Sequence, residues 1–318
     1  MSLFDAEQEA LYRLNYSFKG LVVPVFTPFN DDGTNSLNLS VIPYYAEYLK
    51  VNNVRGVLIN GTVAEGLTMT VEERKILAEA WMEESKRNGF HLIVQVGGVC
   101  LTEVRKLAMH AESIGADAIL CLPDIYYRPN SVTELVEYLR EVSASAPKTP
   151  LLYYHDNVMP KVSTINIGKF LESVNNRIPT LVGVKFTVST HLDDVARAVK
   201  AADGRFTLFY GSNQIIPSVI ALGVEGYMAY ISNLYPEEIQ RIISTSQGGD
   251  IRVARTTHNM LMKVFDGFNA TGCPIAAMKA AMPILKGLDL GPCRKPLPSF
   301  CKEEHREQLR QALADLKI

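Results

Sequence analysis

The chain lacks any long apolar run. None approaches the roughly 18 residues that cross a bilayer, so no membrane-spanning helix is expected. It also lacks an excess of either charge. With 32 Lys and Arg against 34 Asp and Glu, the net charge is −2 and the pI about 6.3, which leaves no basic footprint for nucleic acid. Cysteine is scarce: Cys100, Cys121, Cys273, Cys293 and Cys301 are odd in number and form no C-x-x-C. They read as reduced thiols rather than a disulfide frame or a zinc site. The six histidines include no H-E-x-x-H, so a zinc-protease site is not indicated. No G-x-G-x-x-G follows the first apolar run, which argues against a dinucleotide fold. Residues 1–7 carry no basic stretch leading into an apolar one, so no secretory signal is expected and a cytoplasmic location is.

What remains is an ordinary globular composition, 47% hydrophobic and 21% charged, enough for a core of normal size. At 318 residues the chain allows two ordinary domains or one large α/β barrel with extra helices. The pattern decides between them. Short apolar runs recur at 20–26, 56–60, 92–97, 118–122, 151–154, 181–186, 207–210 and 226–229. Most are separated by helix-length amphipathic segments. Thr70 and Glu73 form a capping box ahead of a helix expected to turn Ile76, Leu77, Ala80 and Trp81 inward. Ser131 and Glu134 form a second, ahead of Leu135, Val136, Leu139 and Val142. Gly115 and Gly223 suit helix stops, and Pro236 a first helical turn.

Such alternation implies parallel pairing with right-handed crossovers. Eight units predict an α/β fold, an eight-stranded parallel (β/α) TIM barrel with a C-terminal helical extension. The expected organisation is an N-terminal extension over 1–17, the barrel over 18–247 and the helical extension over 248–318. Helices are expected over about 236–247, 250–268, 274–286 and 302–317, with a short one near Leu11 and Leu14. A proline-stiffened connector covers 291–298.

One residue is out of place in this pattern. Lys185 lies within Leu181-Val182-Gly183-Val184-Lys185-Phe186, a run that reads as a buried strand. Burial disfavours the ammonium and yields a nucleophilic amine, which a Schiff-base enzyme needs. A lysine there can equally be a solvated edge residue or one half of an ion pair. The surroundings favour the amine. Active sites of such barrels sit at the C-terminal strand ends. There the chain places Asn60-Gly61-Thr62-Val63-Ala64-Glu65-Gly66, the run Asp124 to Pro129 with Tyr126, Tyr153-Tyr154-His155, Lys185-Phe186-Thr187 and Tyr210-Gly211-Ser212-Asn213-Gln214. An amine, phenols and hydroxyl donors on one rim suit a carbonyl substrate bearing a carboxylate. Tyr154 and Lys185 end adjacent strands, so their side chains can meet. Read singly, Tyr154 suits the core, His155 a structural hydrogen bond, and Glu65 a supporting group or a helix N-terminal charge.

On these motifs, together with Gly291-Pro292-x-Arg294-x-Pro296-Leu297, roughly residues 18–300 resemble the N-acetylneuraminate lyase and dihydrodipicolinate synthase family. These are pyruvate-handling class I aldolases, and among them the chain looks most like the animal N-acetylneuraminate lyases. The resemblance implies that Lys185 forms the imine, Tyr154 shuttles protons and Thr62 binds the substrate carboxylate. It implies that Val63, Thr187, Gly211, Asn213, Gln214 and Tyr230 line the substrate, and that Tyr126 completes a hydroxyl relay from a neighbouring subunit of a homotetramer. The expected partner is a small 2-oxo acid. No metal or organic cofactor is expected, since the lysine imine itself is the electron sink.

The chain also departs from the family. Val63 and Ala64 stand where a hydroxyl residue and a glycine are usual; a lost hydrogen bond to a carboxylate costs roughly 1.5–3 kcal/mol. Asn213-Gln214 replaces an Asp-Glu pair, Ala229-Tyr230 a Gly-Ser pair, and Asp156-Asn157 an apolar residue and proline. Lys161 is a poor match for the arginine of the synthases. The first expectation is therefore cleavage of a 2-keto-3-deoxy sugar acid, N-acetylneuraminate, to pyruvate and N-acetylmannosamine. The alternatives are the same imine chemistry on a different 2-oxo acid and aldehyde, and a barrel that binds ligand without turnover.

Overall fold

The apolar runs become strands, each followed by a helix. A computed structural model describes residues 16–156, 165–174, 177–187, 190–300 and Glu307. The strands are β1 (Gly20–Pro24), β2 (Gly56–Ile59), β3 (His91–Gln95), β4 (Ala118–Cys121), β5 (Leu151–His155), β6 (Leu181–Phe186), β7 (Thr207–Tyr210) and β8 (Gly226–Tyr227). The intervening helices are α1 (Ile42–Val51), α2 (Val71–Asn88), α3 (Leu101–Ile114), α4 (Val132–Ser145), α5 (Ile167–Val174), α6 (Leu192–Lys200) and α7 (Ile216–Ala221). A helical C-terminal region follows: α8 (Pro236–Gln247), α9 (Ile251–Asn269) and α10 (Pro274–Lys286). The strands run in sequence order and close into a parallel barrel. Every residue of β2, β4, β5 and β6 is buried, as parallel strands covered on both faces require. The helices expected near Leu11 and Leu14 and over 302–317 lie outside the described residues, apart from Glu307.

The chain groups into two compact units, Met1–Gly20 with His91–Met228 and Leu21–Phe90 with Ala229–Ile318. In the first, Tyr153 of β5 packs edge-on against Phe170 of α5, with ring centroids 5.3 Å apart. Side chains alternate along a strand, so Tyr154 faces away from the helices. The β5–β6 register pairs Tyr154 with Lys185 and continues to His155 and Phe186. Gly183 lets β6 sit close on β7, because a Cβ there would lie 2.0 Å from the Thr207 carbonyl oxygen. Gly115 ends α3 at φ 84° and Gly223 follows α7 at φ 96°, both left-handed stops. Ser131 caps α4 by accepting the Glu134 N–H. The expected reciprocal box does not form, since the Glu134 carboxylate reaches one residue further back, to the Asn130 N–H at 2.7 Å.

In the second unit, Thr70 and Glu73 form the full capping box of α2. Its buried stripe is Arg74, Leu77, Ala78, Trp81, Met82, Glu84 and Ser85. Ile76, expected inward, is 44% exposed, and Ala80 is half-buried. At 3.6 residues per turn Ile76 falls on the opposite face from a stripe that starts at Arg74. Trp81 meets Tyr45 of α1 edge-on at 5.7 Å. Asn233 takes the Tyr45 hydroxyl and donates to the Pro24 carbonyl at 2.9 Å, fastening the turn after β8 to β1. Pro236 occupies the first turn of α8.

Candidate active site

Lys185 is the penultimate residue of β6, with only 6% of its surface exposed. Its Nζ lies 3.4 Å from the centroid of the Tyr154 ring, on the neighbouring strand. Burial lowers the ammonium pKa from the ordinary 10.5 to about 7, with the Asp156 carboxylate opposing that shift. Near neutral pH a substantial share of the amine is uncharged. No carboxylate pairs with Lys185 within ion-pair distance among the described residues. On the β7 side the lysine stem lies against Gly211, where a Cβ would come within 2.4 Å of Cε and 3.2 Å of Nζ. Gly211 thus clears space for the amine, and its N–H donates to the Phe186 carbonyl at 2.7 Å.

Tyr154 is buried and its hydroxyl donates to Asp156 Oδ2 at 3.3 Å. His155 points to the opposite face, where its Nδ1 meets the Tyr153 hydroxyl at 3.0 Å. Burial holds its pKa down to about 4, so it is neutral at pH 7 and acts as a structural hydrogen-bonder. Thr187 is half-buried, and its carbonyl accepts the Thr190 N–H at 3.1 Å. Asn213 is fully buried, whereas Gln214 is exposed. Asn157 and Lys161 lie outside the described residues.

Tyr126 is 72% exposed. Its N–H and that of Tyr127 both donate to Asp124 Oδ1 at 2.8 Å. The two rings meet edge-on at 4.8 Å beside a cavity of about 600 Å³ also lined by Arg128, Glu134 and Tyr138. Neither Lys185 nor Tyr154 lines it.

In the second unit, the loop after β2 turns through two left-handed residues, Asn60 and Glu65, each at φ 57°. Gly66 lets it close: a Cβ there would stand 1.9 Å from the Asn60 carbonyl oxygen. Thr62 is half-buried, while Val63 and Ala64 are buried. Glu65 holds this loop from behind. Its Oε1 meets Lys279 Nζ of α10 at 2.7 Å and its Oε2 accepts the Arg294 N–H at 2.7 Å. Lys279 also donates to the Pro292 carbonyl at 2.9 Å, and Arg294 forks onto Glu73. Sequence reasoning missed Lys279. Its signal was the one that marked Lys185, a lysine inside an apolar run (Ala276 to Met282), but here the buried ion pair is what the run holds. Tyr230 begins the turn after β8 and packs edge-on against Phe265 of α9 at 5.5 Å.

The fold is a closed parallel barrel whose sixth strand carries a buried amine beside a phenol, the groups that chemistry on a carbonyl substrate needs. The chain belongs to the dihydrodipicolinate synthetase family, whose profile matches residues 17–316. It is 33% identical over 287 residues to an N-acetylneuraminate lyase of Gallus gallus, covering 90% of this chain and 92% of that protein. It is 35% identical over 280 residues to one of Danio rerio, covering 87% and 90%. Among solved structures it is similar to the N-acetylneuraminate lyase (sialic acid aldolase) of Aliivibrio salmonicida, with TM-score 0.88, 27% identity and coverage of 95% and 97%. The Proteus mirabilis N-acetylneuraminate lyase gives TM-score 0.88 at 29% identity, covering 95% and 99%.

Proposed function

We propose that this chain is a class I carbon–carbon lyase that cleaves a 2-keto-3-deoxy sugar acid, with N-acetylneuraminate the first choice, to pyruvate and an aldehyde sugar, N-acetylmannosamine. The observation that carries the reading is the Lys185 amine, buried, held near pKa 7 and 3.4 Å from the Tyr154 ring. The neutral amine adds to the keto carbon, and loss of the former carbonyl oxygen as water leaves an iminium. Tyr154 gives its hydroxyl proton to that departing water and, now a phenolate, takes the proton of the C4 hydroxyl as the C3–C4 bond breaks. The bonding pair passes to the iminium and forms an enamine, while C4 leaves as the aldehyde. Return of the proton to C3 and hydrolysis release pyruvate and restore the amine. The imine is its own electron sink, so neither metal nor organic cofactor has a step to perform.

In this reading Thr62 and the Val63 N–H bind the carboxylate, while Thr187, Gly211, Asn213, Gln214 and Tyr230 belong to the sugar side. Tyr126 serves a neighbouring subunit of a homotetramer. Family membership and the lyase names of the relatives support these assignments. The buried apolar side chain of Val63 and the burial of Asn213 favour a second reading, in which the same imine acts on a smaller sugar acid.

Borohydride reduction in the presence of pyruvate tests the chemistry. A reduced pyruvyl mass is expected on the peptide that holds Lys185; no adduct, or one at another lysine, overturns the reading. Pyruvate release from a panel of 2-keto-3-deoxy acids separates the substrates. Fastest cleavage of N-acetylneuraminate removes the second reading.

A further inference from the structure

Asp156 follows β5 and is 8% exposed, a buried carboxylate two residues beyond Tyr154. It accepts the Tyr154 hydroxyl at 3.3 Å. Its charge is also felt by Lys185, His155 and Tyr153. The hydroxyl hydrogen of Tyr154 thus points to Asp156 in the resting protein. Among the described residues the charges around Lys185 are few. Tyr154 and Asp156 approach from the β5 side. On the β7 side its register partner is Phe209, with Gly211 beyond, and neither carries charge. His155 lies on the other face and is neutral. Tyr210 also points to that face, against Phe186.

We propose that Asp156 is a positioning residue for the amine chemistry: its buried carboxylate aims the Tyr154 hydroxyl and is the fixed negative charge for the cation that Lys185 becomes. The inference rests on the imine reading above and adds to it. Imine formation converts a neutral amine into a buried cation, which lacks solvation unless an anion stands near. Two functions then fall on one side chain, and two variants separate them. Asp156→Asn keeps an acceptor for Tyr154 and removes the charge. Asp156→Ala removes both.

The experiment is borohydride trapping with pyruvate across pH 5 to 10, together with exchange of the pyruvate methyl hydrogens in deuterium oxide. In the wild type, trapping at Lys185 rises through about pH 7. With the charge gone, the amine deprotonates more readily, so in Asp156→Asn the rise moves to lower pH by about one unit. Its plateau falls about 10-fold because the iminium has lost its counter-charge. In Asp156→Ala the same shift appears, and methyl exchange falls a further roughly 10-fold as Tyr154 loses its orientation. A wild type that traps, with both variants keeping its pH profile and exchange rate within about 2-fold, overturns the role of Asp156 and leaves the imine intact. A wild type that gives no Lys185 adduct removes both. If either variant proves unfolded by circular dichroism, the other still yields the pH midpoint, which a merely structural role does not move.

Discussion

At the scale of single residues, the same feature that makes Lys185 reactive makes it costly. Its pKa falls from 10.5 to about 7 because burial opposes the charge, a penalty of about 5 kcal/mol. The penalty is complete below about pH 7, where folded and unfolded chains both hold the proton. It shrinks as pH rises toward 10.5, because there the unfolded chain still binds a proton that the folded one has released. Lys185→Met is therefore expected to abolish pyruvate trapping and yet to raise stability. The gain over wild type should be a few kcal/mol at pH 6 and should fade toward pH 10, measured by urea unfolding at both. A variant no more stable than wild type at pH 6 would mean that the amine is not desolvated. Lys185 was legible in the sequence because an apolar, β-branched run leaves no ordinary place for a charge. Asp156 was legible only as a departure from relatives. That its carboxylate bends back onto Tyr154, two residues earlier, depends on the local path of the chain.

At the scale of elements, the loop that carries Thr62 is anchored from α10 through a buried ion pair. Glu65 and Lys279 have side-chain exposures of 0% and 1%. Removing one partner of such a pair leaves an uncompensated charge and typically costs roughly 3–5 kcal/mol, whereas removing both is far milder. Lys279→Met alone is expected to lower the unfolding free energy by that amount, seen as a lower denaturant midpoint. Glu65→Gln with Lys279→Met should recover most of it, since the amide still accepts the Arg294 N–H. A double variant as unstable as the single one would argue that the pair does not act as a unit. The helix and strand pattern was readable because each element follows its own period. The pair was not, since 214 positions separate its members. Ile76 was misplaced for a related reason. Its helix packs through Arg74 and Ser85, and a periodicity read from apolar residues alone cannot see a stripe with polar ends.

At the scale of the whole molecule, strand–helix alternation sufficed to predict the closed parallel barrel and the helical C-terminal region. The number of chains per particle is set by surfaces, which periodicity does not report. Exposure of Tyr126 and Tyr127, at 72% and 81%, agrees with the proposed homotetramer, in which Tyr126 faces a neighbour. Sedimentation is expected to give a mass of about four times the 35.3 kDa chain, and Tyr126→Phe to reduce turnover without changing that mass. A monomer that turns over at full rate would remove the relay from the reading. The hydrogen-only positions around the amine carry a last consequence. Gly183 seats the sixth strand tightly on the seventh, and Gly211 leaves a gap that the lysine stem fills. An engineer who wished to slide the reactive nitrogen along the rim would have to carry both bare backbones with it. Grafting the lysine by itself onto another strand of this scaffold would transplant a charge without its berth.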